Sequence, residues 1–401
     1  MKTVLFLGAA QFQLPPIQYA ISRGYRVITC DNVPSNPGHK LAHRSYPIST
    51  VDKEGVLEVA KREGIDGVMT FGSDVSSPAA AFVGEKLGLS TNPLDSIETL
   101  TNKAAFRDCL AKAQLQGVQF QTFSACERCE AIDFVSTHPL PLIVKPVDAS
   151  GSKGVSVVSG LSERDRAIDK AFESSLSKRI LIEEFIIKSG KQVCGDGFAQ
   201  DGRIVMLTLG DGHFYDDEQF MAPFAETFPS SHPDEWLLSL REKLQSVLQA
   251  AGFRQGPFNV DALITTSGEP WIIEIGPRSG GNFIPRAIHL HTNIDVTAAS
   301  VELCLDSAFR LDTSRPRPSS CHACYMIHSR ASGVLHSVEY ANALSSNIVE
   351  EHPYLRPGEK VEPFHRANAA IGNVILQFGS VAEMDQKMSN IHSLCKVALK
   401  N

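Results

Sequence analysis

The sequence predicts a mixed α/β and α+β chain of several parts, led by a doubly wound parallel sheet. Three observations carry that expectation. Residues 1 to 93 repeat a strand-then-helix rhythm, VLFLG, PPIQYAISRGY, RVITCD, VLEVAKREG, GVMTFG and AAAFVGEKLGLS, and strands alternating with helices of this length pack as a parallel sheet. A small-residue hairpin follows in PLPLIVKPVDASGSKGV. Further on, FNVDALITTSGEPWIIEIGPR reads as strand, turn, strand, with Gly268 in the turn, so that Asp261 and Glu274 face one another across an antiparallel pair.

Composition narrows the function classes. A chain of 401 residues is long enough for two or three domains with substantial cores, and 43% apolar with 21% charged residues excludes a disordered chain. The net charge of −7 argues against a general nucleic-acid or anionic-membrane surface. No apolar run approaches the roughly 18 residues of a spanning helix. The opening MKTVLFLG reads as a buried first strand rather than a leader. Nine cysteines, an odd number, point to reduced thiols and a cytoplasmic location. The pairs Cys126/Cys129 and Cys321/Cys324 lack the glycine-bearing knuckles of a four-thiolate zinc site. No H-x-x-H or H-E-x-x-H pattern occurs among the histidines, which read as structural or surface groups.

Taken in order, the turn after the first strand, Gly8 to Gln13, lacks G-x-G-x-x-G, so a dinucleotide site is unsupported. Asp74, after a strand in FGSDVSS, is either a helix N-cap or a polar contact to substrate. SIETLTNKAAFRDCLAKAQL predicts an amphipathic helix with Lys103 near its start, and ACERCEAIDFVSTH another helix. In the hairpin, an apolar strand ends on Lys145, and the turn Asp148 to Gly154 leads back into a second strand. Gly151 and Gly154 allow backbone N–H groups to approach a ligand, Ser150 and Ser152 add hydroxyls, and Lys145 and Lys153 add positive charge, which together suit a polyphosphate. The Walker spacing is absent. Leu161 to Lys178 reads as a solvated helix, and RILIEEFIIKSGKQVCGDGFAQDGRIVMLTLGD as strands and turns. The loop-rich GHFYDDEQFMAPFAETFPSSHPDE, with Asp216, Asp217, Glu218 and Glu226, is expected to form part of a substrate pocket or lid. A helix, WLLSLREKLQSVLQAAGF, ends at Gly252. Two inward carboxylates at 261 and 274 are costly unless a cation neutralises them, which Mg²⁺ shared with substrate phosphates would do; a surface hairpin with outward acids is the alternative. After the link TSRPRPSS come short strands and a closing helix, SVAEMDQKMSNIHSLCKVAL.

The ordered set of the hairpin, LIEEFI (Leu181 to Ile186), Asp261 in FNVDALI and IIEIGPRSGGN (Ile272 to Asn282) resembles the ATP-grasp superfamily over nearly the whole chain, and in particular its carboxylate–amine, L-amino-acid-ligase-like members. The resemblance implies a Rossmann-like domain at 1–93 that helps bind the non-nucleotide substrate, linker helices with a small nucleotide-clamping part at 94–190, a catalytic part at 191–310 and a strand-rich extension at 311–401. It implies ATP with Mg²⁺, or Mn²⁺ in its place. Lys103 and Lys145 would touch phosphates beside Ser150, Gly151 and Gly154. Glu183, Glu184, Phe185 and Ile186 would form the adenine hinge, and Gln192 would stand where a glutamate commonly holds the ribose. Asp261 and Glu274 would hold metal, with Arg278, Lys153 and Ser152 acting on the transferred group. Asp74, Gly280, Gly281 and, as a carboxylate clamp, Arg286 would meet substrate. Many relatives carry an asparagine two residues after the metal glutamate, where this chain has Gly276, so a second magnesium is less fully caged, or water or Asn282 substitutes. The reaction implied is attack of a carboxylate on the γ-phosphate, then displacement of phosphate from the acyl phosphate by an amine, releasing ADP. An amino acid is the first choice of substrate. A purine-pathway or carboxylase-like enzyme using formate or bicarbonate is the alternative, and a non-catalytic nucleotide-binding module the competing class. A homodimer is implied by the resemblance alone.

Overall fold

The computed structural model describes residues 1–117, 119–216, 222–316 and 318–400. The first rhythm folds as a four-stranded parallel sheet, ordered β3-β2-β1-β4, from β1 (Thr3–Leu7), β2 (Arg26–Cys30), β3 (Arg44–Tyr46) and β4 (Gly67–Thr70). Helices on both faces require strands that are apolar on both sides, and every residue of β1 is buried.

The small unit is an antiparallel sheet, β5-β8-β6-β7, built from β5 (Phe120–Ser124), β6 (Leu142–Pro146), β7 (Ser156–Val158) and β8 (Arg179–Glu184). Helices Arg128–Thr137 and Arg164–Ser174 cover it over a core of Phe123, Val144, Ile168, Ile180 and Ile182. The predicted hairpin is the β6–β7 pair.

The large sheet has eight strands ordered β13-β12-β9-β10-β11-β14-β18-β16. They are β9 (Gln192–Gln200), β10 (Arg203–His213), β11 (Ala225–Phe228), β12 (Gly256–Ile264), β13 (Pro270–Gly276), β14 (Cys321–Ile327), β16 (Ile348–Pro353) and β18 (Gly372–Phe378). Strand alternation sends Phe258, Val260 and Ala262 into a core with Leu244, Val247 and Phe106; Asn259 and Asp261 therefore take the opposite face. Beside them, Phe198, Phe228 and Ile288 bury helix Ile284–Thr292. A three-stranded sheet, β17-β15-β19, from β15 (Gly333–Tyr340), β17 (Lys360–Val361) and β19 (Cys395–Lys400), closes the chain.

Four expectations change. The stretch after Pro93 is two helices, Leu94–Thr101 and Lys103–Lys112, broken at Asn102, whose side-chain oxygen accepts from the Ala104 and Ala105 N–H groups at 3.0 and 3.1 Å. Both pack on the large sheet through Ile97, Leu100, Phe106 and Leu110 rather than with the small unit. The strands after 311 add to the large sheet, since β14 pairs with β11. The closing helix stops at Leu394, and Cys395–Lys400 pairs with β15 as a strand. Cys126 and Cys129 are exposed, whereas Cys321 and Cys324 are buried in β14. Among the described residues no helix is long and apolar enough to cross a membrane.

Removing residues 311–400 would open the β11 edge and strip Ala222 and Phe224 of their partners in a buried cluster, Tyr325 among them. We expect that truncation to lose soluble expression or cooperative thermal unfolding, and a soluble truncation with unchanged Tm would refute the shared core.

Candidate functional site

A cleft of about 1340 Å³ runs between the small unit and the large sheet, with Tyr354, Leu355 and Arg366 of the C-terminal region along one side. Ile143, Val157, Phe185, Ile186, Leu263 and Trp271 line its apolar slot. The slot leads to Lys103, Lys145 and residues 149–153 of the turn, so the hairpin and the helix-opening lysine meet at one end. Gly151, Ser152 and Gly154 have φ of 65°, 58° and 77°. Successive left-handed residues turn backbone groups to one side of such a turn, and glycine adopts them without strain.

Three buried charges brace this end. Glu183 accepts from Arg107 Nε at 2.7 Å and Nη2 at 3.1 Å, and pairs with Lys145. Arg107 Nη1 also donates to the Ile273 carbonyl at 3.0 Å, next to Glu274. Burial acts to raise Glu183, but Lys145 and Arg107 outweigh it and hold the carboxylate down at about 2. Burial pulls Lys145 down to about 8 despite Glu183. The two shifts oppose each other near neutral pH, so the pair brings little net stability and its effect is geometric. The carboxylate of Glu183, a residue expected at the adenine hinge, is thus taken up by ion pairs. The backbone N–H groups of Glu184 and Phe185 are also occupied, by the Gln119 and Pro141 carbonyls at 3.3 Å.

Asp261 and Glu274 are in register across β12 and β13, just before a bulge. Lys103 Nζ lies 2.9 Å from Glu274 Oε2 and 2.8 Å from the Ala149 carbonyl. Gln192 Nε2 donates to Asp261 Oδ1 at 2.9 Å, so the residue expected at a ribose also touches the paired carboxylates. Burial, then the neighbouring Glu274, raises Asp261; for Glu274 burial acts upward, but Lys103 reverses it and the carboxylate stays ionised. Two close carboxylates at the mouth of a phosphate-sized turn fit a divalent cation shared with phosphate oxygens.

Arg278 Nη2 donates to Asp74 Oδ2 at 2.6 Å, and its Nη1 to the Ser279 carbonyl at 3.2 Å. Asp74 is therefore not the N-cap, a place taken by Ser76. A Cβ at Gly276 would lie 2.6 Å from Asp74 Oδ1 and 2.9 Å from Arg278 Cζ. The residue that departs from the family pattern leaves room for this ion pair. Asp196, fully buried, accepts from the Gly280 N–H at 3.0 and 2.9 Å and from Asn259 Nδ2 at 2.9 Å; burial raises it to about 6. Asn373 Nδ2 donates to the Asn282 carbonyl at 2.8 Å, where Asn282 and Phe283 hold φ of 50° and 62°.

Other expected residues fall differently. Gly281 and Asn282 line the cleft, but the Gly280 donor is spent on Asp196. Gly154 is tight against Ser174 and Pro146, so its place in the turn is one of packing. Arg286 donates from Nε to Glu350 at 2.8 Å and does not line the cleft. Asp217 and Glu218 lie outside the described residues. Sequence reasoning missed Arg107, Asp196 and Asn259, whereas Asp216 and Glu226 line the cleft as expected of their segment. Arg107 had a signal, since it stands four residues after Lys103 on one helix face.

Two outcomes follow. Glu183→Gln leaves Lys145 and Arg107 buried without a full countercharge and should cost about 3–5 kcal/mol, read by denaturant unfolding; a loss below about 1 kcal/mol would contradict the bracing role. Gly276→Asn should displace Asp74 from Arg278 and weaken nucleotide-dependent turnover more than Asn282→Ala does, with steady-state kinetics as the check.

A family model described as an ATP-grasp domain matches residues 138–286. The protein y4rH of Sinorhizobium fredii is 25% identical over 280 residues, 67% of this chain and 54% of that protein, so the match spans about half of it. The formate-dependent phosphoribosylglycinamide formyltransferase of Methanocaldococcus jannaschii is 22% identical over 409 residues, 99% of this chain and 96% of that one. The enzyme of the same name from Thioalkalivibrio sulfidiphilus is 25% identical over 291 residues, 69% of each. Among solved structures, an L-amino acid ligase from Bacillus licheniformis matches with a TM-score of 0.85 at 20% identity over 100% of this chain and 99% of that one. Phosphoribosylglycinamide synthetase from Anaerococcus prevotii matches with 0.77 at 19% identity over 100% of both chains. The matched ATP-grasp domain spans residues 138–286 and takes in the β6–β7 turn, Asp261, Glu274 and Arg278, and the chain as a whole shares the fold of these two solved structures.

Proposed function

We propose that this ATP-grasp ligase is ADP-forming, activates a small carboxylate as its acyl phosphate and passes the acyl group to an amine, in the manner of the purine-pathway or carboxylase-like members. The observation that carries it is the convergence of Lys103, Lys145, the 149–153 turn, Arg278 and the Asp261–Glu274 pair on one cleft. The full-length likeness to a formate-dependent formyltransferase supports this choice over the amino-acid ligase expected from sequence, since the match to an L-amino acid ligase is one of fold.

Asp261 and Glu274 would hold Mg²⁺, which when bound screens the phosphate oxygens. Lys103 and Lys145 neutralise phosphate charge, and the turn carries Ser150, Ser152 and Lys153 to the same end. Arg278, oriented by Asp74, faces charge that develops on the transferred group. The carboxylate oxygen bonds to the γ-phosphorus as the bond to ADP breaks. The amine nitrogen then bonds to the acyl carbon, phosphate leaves with the electron pair, and the nitrogen loses a proton. Arg366 places a cation along the cleft's C-terminal side, suited to an anionic group on the second substrate.

The test is ADP and phosphate release from Mg-ATP with formate or bicarbonate, against phosphoribosyl amines and amino acids, with hydroxylamine trapping the activated acyl group. Release should require a carboxylate, and Glu274→Gln should lower it by about 100-fold or more. Turnover only with pairs of amino acids would restore the amino-acid ligase reading, AMP and pyrophosphate would mean adenylation, and nucleotide binding without turnover would mean a binding module.

A further inference from the structure

Glu226 stands apart from the groups assigned so far. It is 6% exposed, it lines the cleft, and its Oε2 has no hydrogen-bond partner. Its strand, β11, lies beside β10, where the residue in register with it is Gly212. Gly212 and Gly210 leave that face of β10 without side chains, and the Glu226 carboxyl meets the Cys194 thiol of β9, the strand beyond. One oxygen is thus satisfied within the protein, and the other is buried without a partner in a residue of the cleft wall. A buried polar atom without a partner carries a desolvation cost that a ligand donor removes.

The surroundings say which donor. Burial first, and then Asp261 and Asp196 against Arg278, pushes the Glu226 carboxyl up to about 8, so the position repels anions and favours a ligand N–H. Among the described residues no group of three His, Cys, Asp or Glu side chains is placed to hold a metal ion, so Glu226 does not complete such a set with Asp261. Three strands, β12, β9 and β10, separate β11 from β13 and its Glu274. Glu226 therefore sits toward the C-terminal strands, away from the phosphate turn.

We propose that Glu226 docks the amine substrate, its Oε2 accepting a hydrogen bond from the primary amine that attacks the activated carboxylate. This rests on the ligase reading above. The shared chemistry is a primary amine, whether on a phosphoribosyl compound or on an amino acid.

The test compares wild type with Glu226→Gln and with Glu226→Asp, which keeps the charge but draws the oxygens back by one methylene. Phosphoribosylglycinamide and L-alanine serve as the two amine probes, each titrated by calorimetry in the presence of a non-hydrolysable ATP analogue and Mg²⁺, and each varied in steady-state turnover. In both variants the dissociation constant or KM of the accepted amine should rise at least tenfold, and by far more than that of the nucleotide, and which probe responds names the source. Amine affinity within twofold of wild type, equal shifts for amine and nucleotide, or a wild type that binds neither amine would each overturn the proposal. The ligase reading fails separately, if wild type binds an amine yet forms no hydroxamate from formate, bicarbonate or any amino acid.

Discussion

A single buried carboxylate, Glu183, is the junction on which the site's geometry depends. It lies on the central strand of the small unit, yet it is held by Arg107 from a helix packed on the large sheet and by Lys145 from the neighbouring strand. Through Arg107 and the Ile273 carbonyl the same network reaches the strand that carries Glu274. Charges taken out of water are tolerated only when paired and hydrogen-bonded, so the small unit has one placement relative to Glu274 that satisfies all three. The nucleotide cleft is the space that placement leaves.

The second constraint is a surplus of carboxylates on one face of the large sheet. Asp196, Asp261, Glu226 and Glu274 crowd there, and each is answered differently. Asp196 is satisfied by backbone and amide donors, Glu274 by Lys103, and Asp261 by Gln192. Glu226 keeps one buried oxygen without a partner. Such divergence among similar groups marks different tasks within one cleft. The Arg278–Asp74 pair joins the Rossmann-like sheet to this face, and the space that admits it exists because position 276 has no side chain.

Much of this was legible beforehand. The parallel first sheet, the β6–β7 hairpin and the Asp261–Glu274 register each follow from local pattern, because strand alternation and turn chemistry act over a few residues. The misread elements had signals that compete at short range. Asn102 reads as a helical residue until its side chain is seen capping the next helix, and KVAL reads as helix until β15 offers it a ladder. The charged and amide side chains are of another kind. Glu183, Gln192 and Arg286 were placed by order along the chain, whereas their partners stand 76, 69 and 64 residues away.

Local pattern was enough for the strand and helix periods, the glycine-rich turn, the facing carboxylates and the resemblance to ATP-grasp proteins, all of them properties of short segments. Packing settled that the C-terminal strands continue the large sheet, that Asp74 reaches Arg278 through the gap at Gly276, and that one Glu226 oxygen is buried without a partner. The physical reason is that a charged side chain's role is set by whatever neutralises it, and those partners are brought together by packing of segments that the local pattern does not relate.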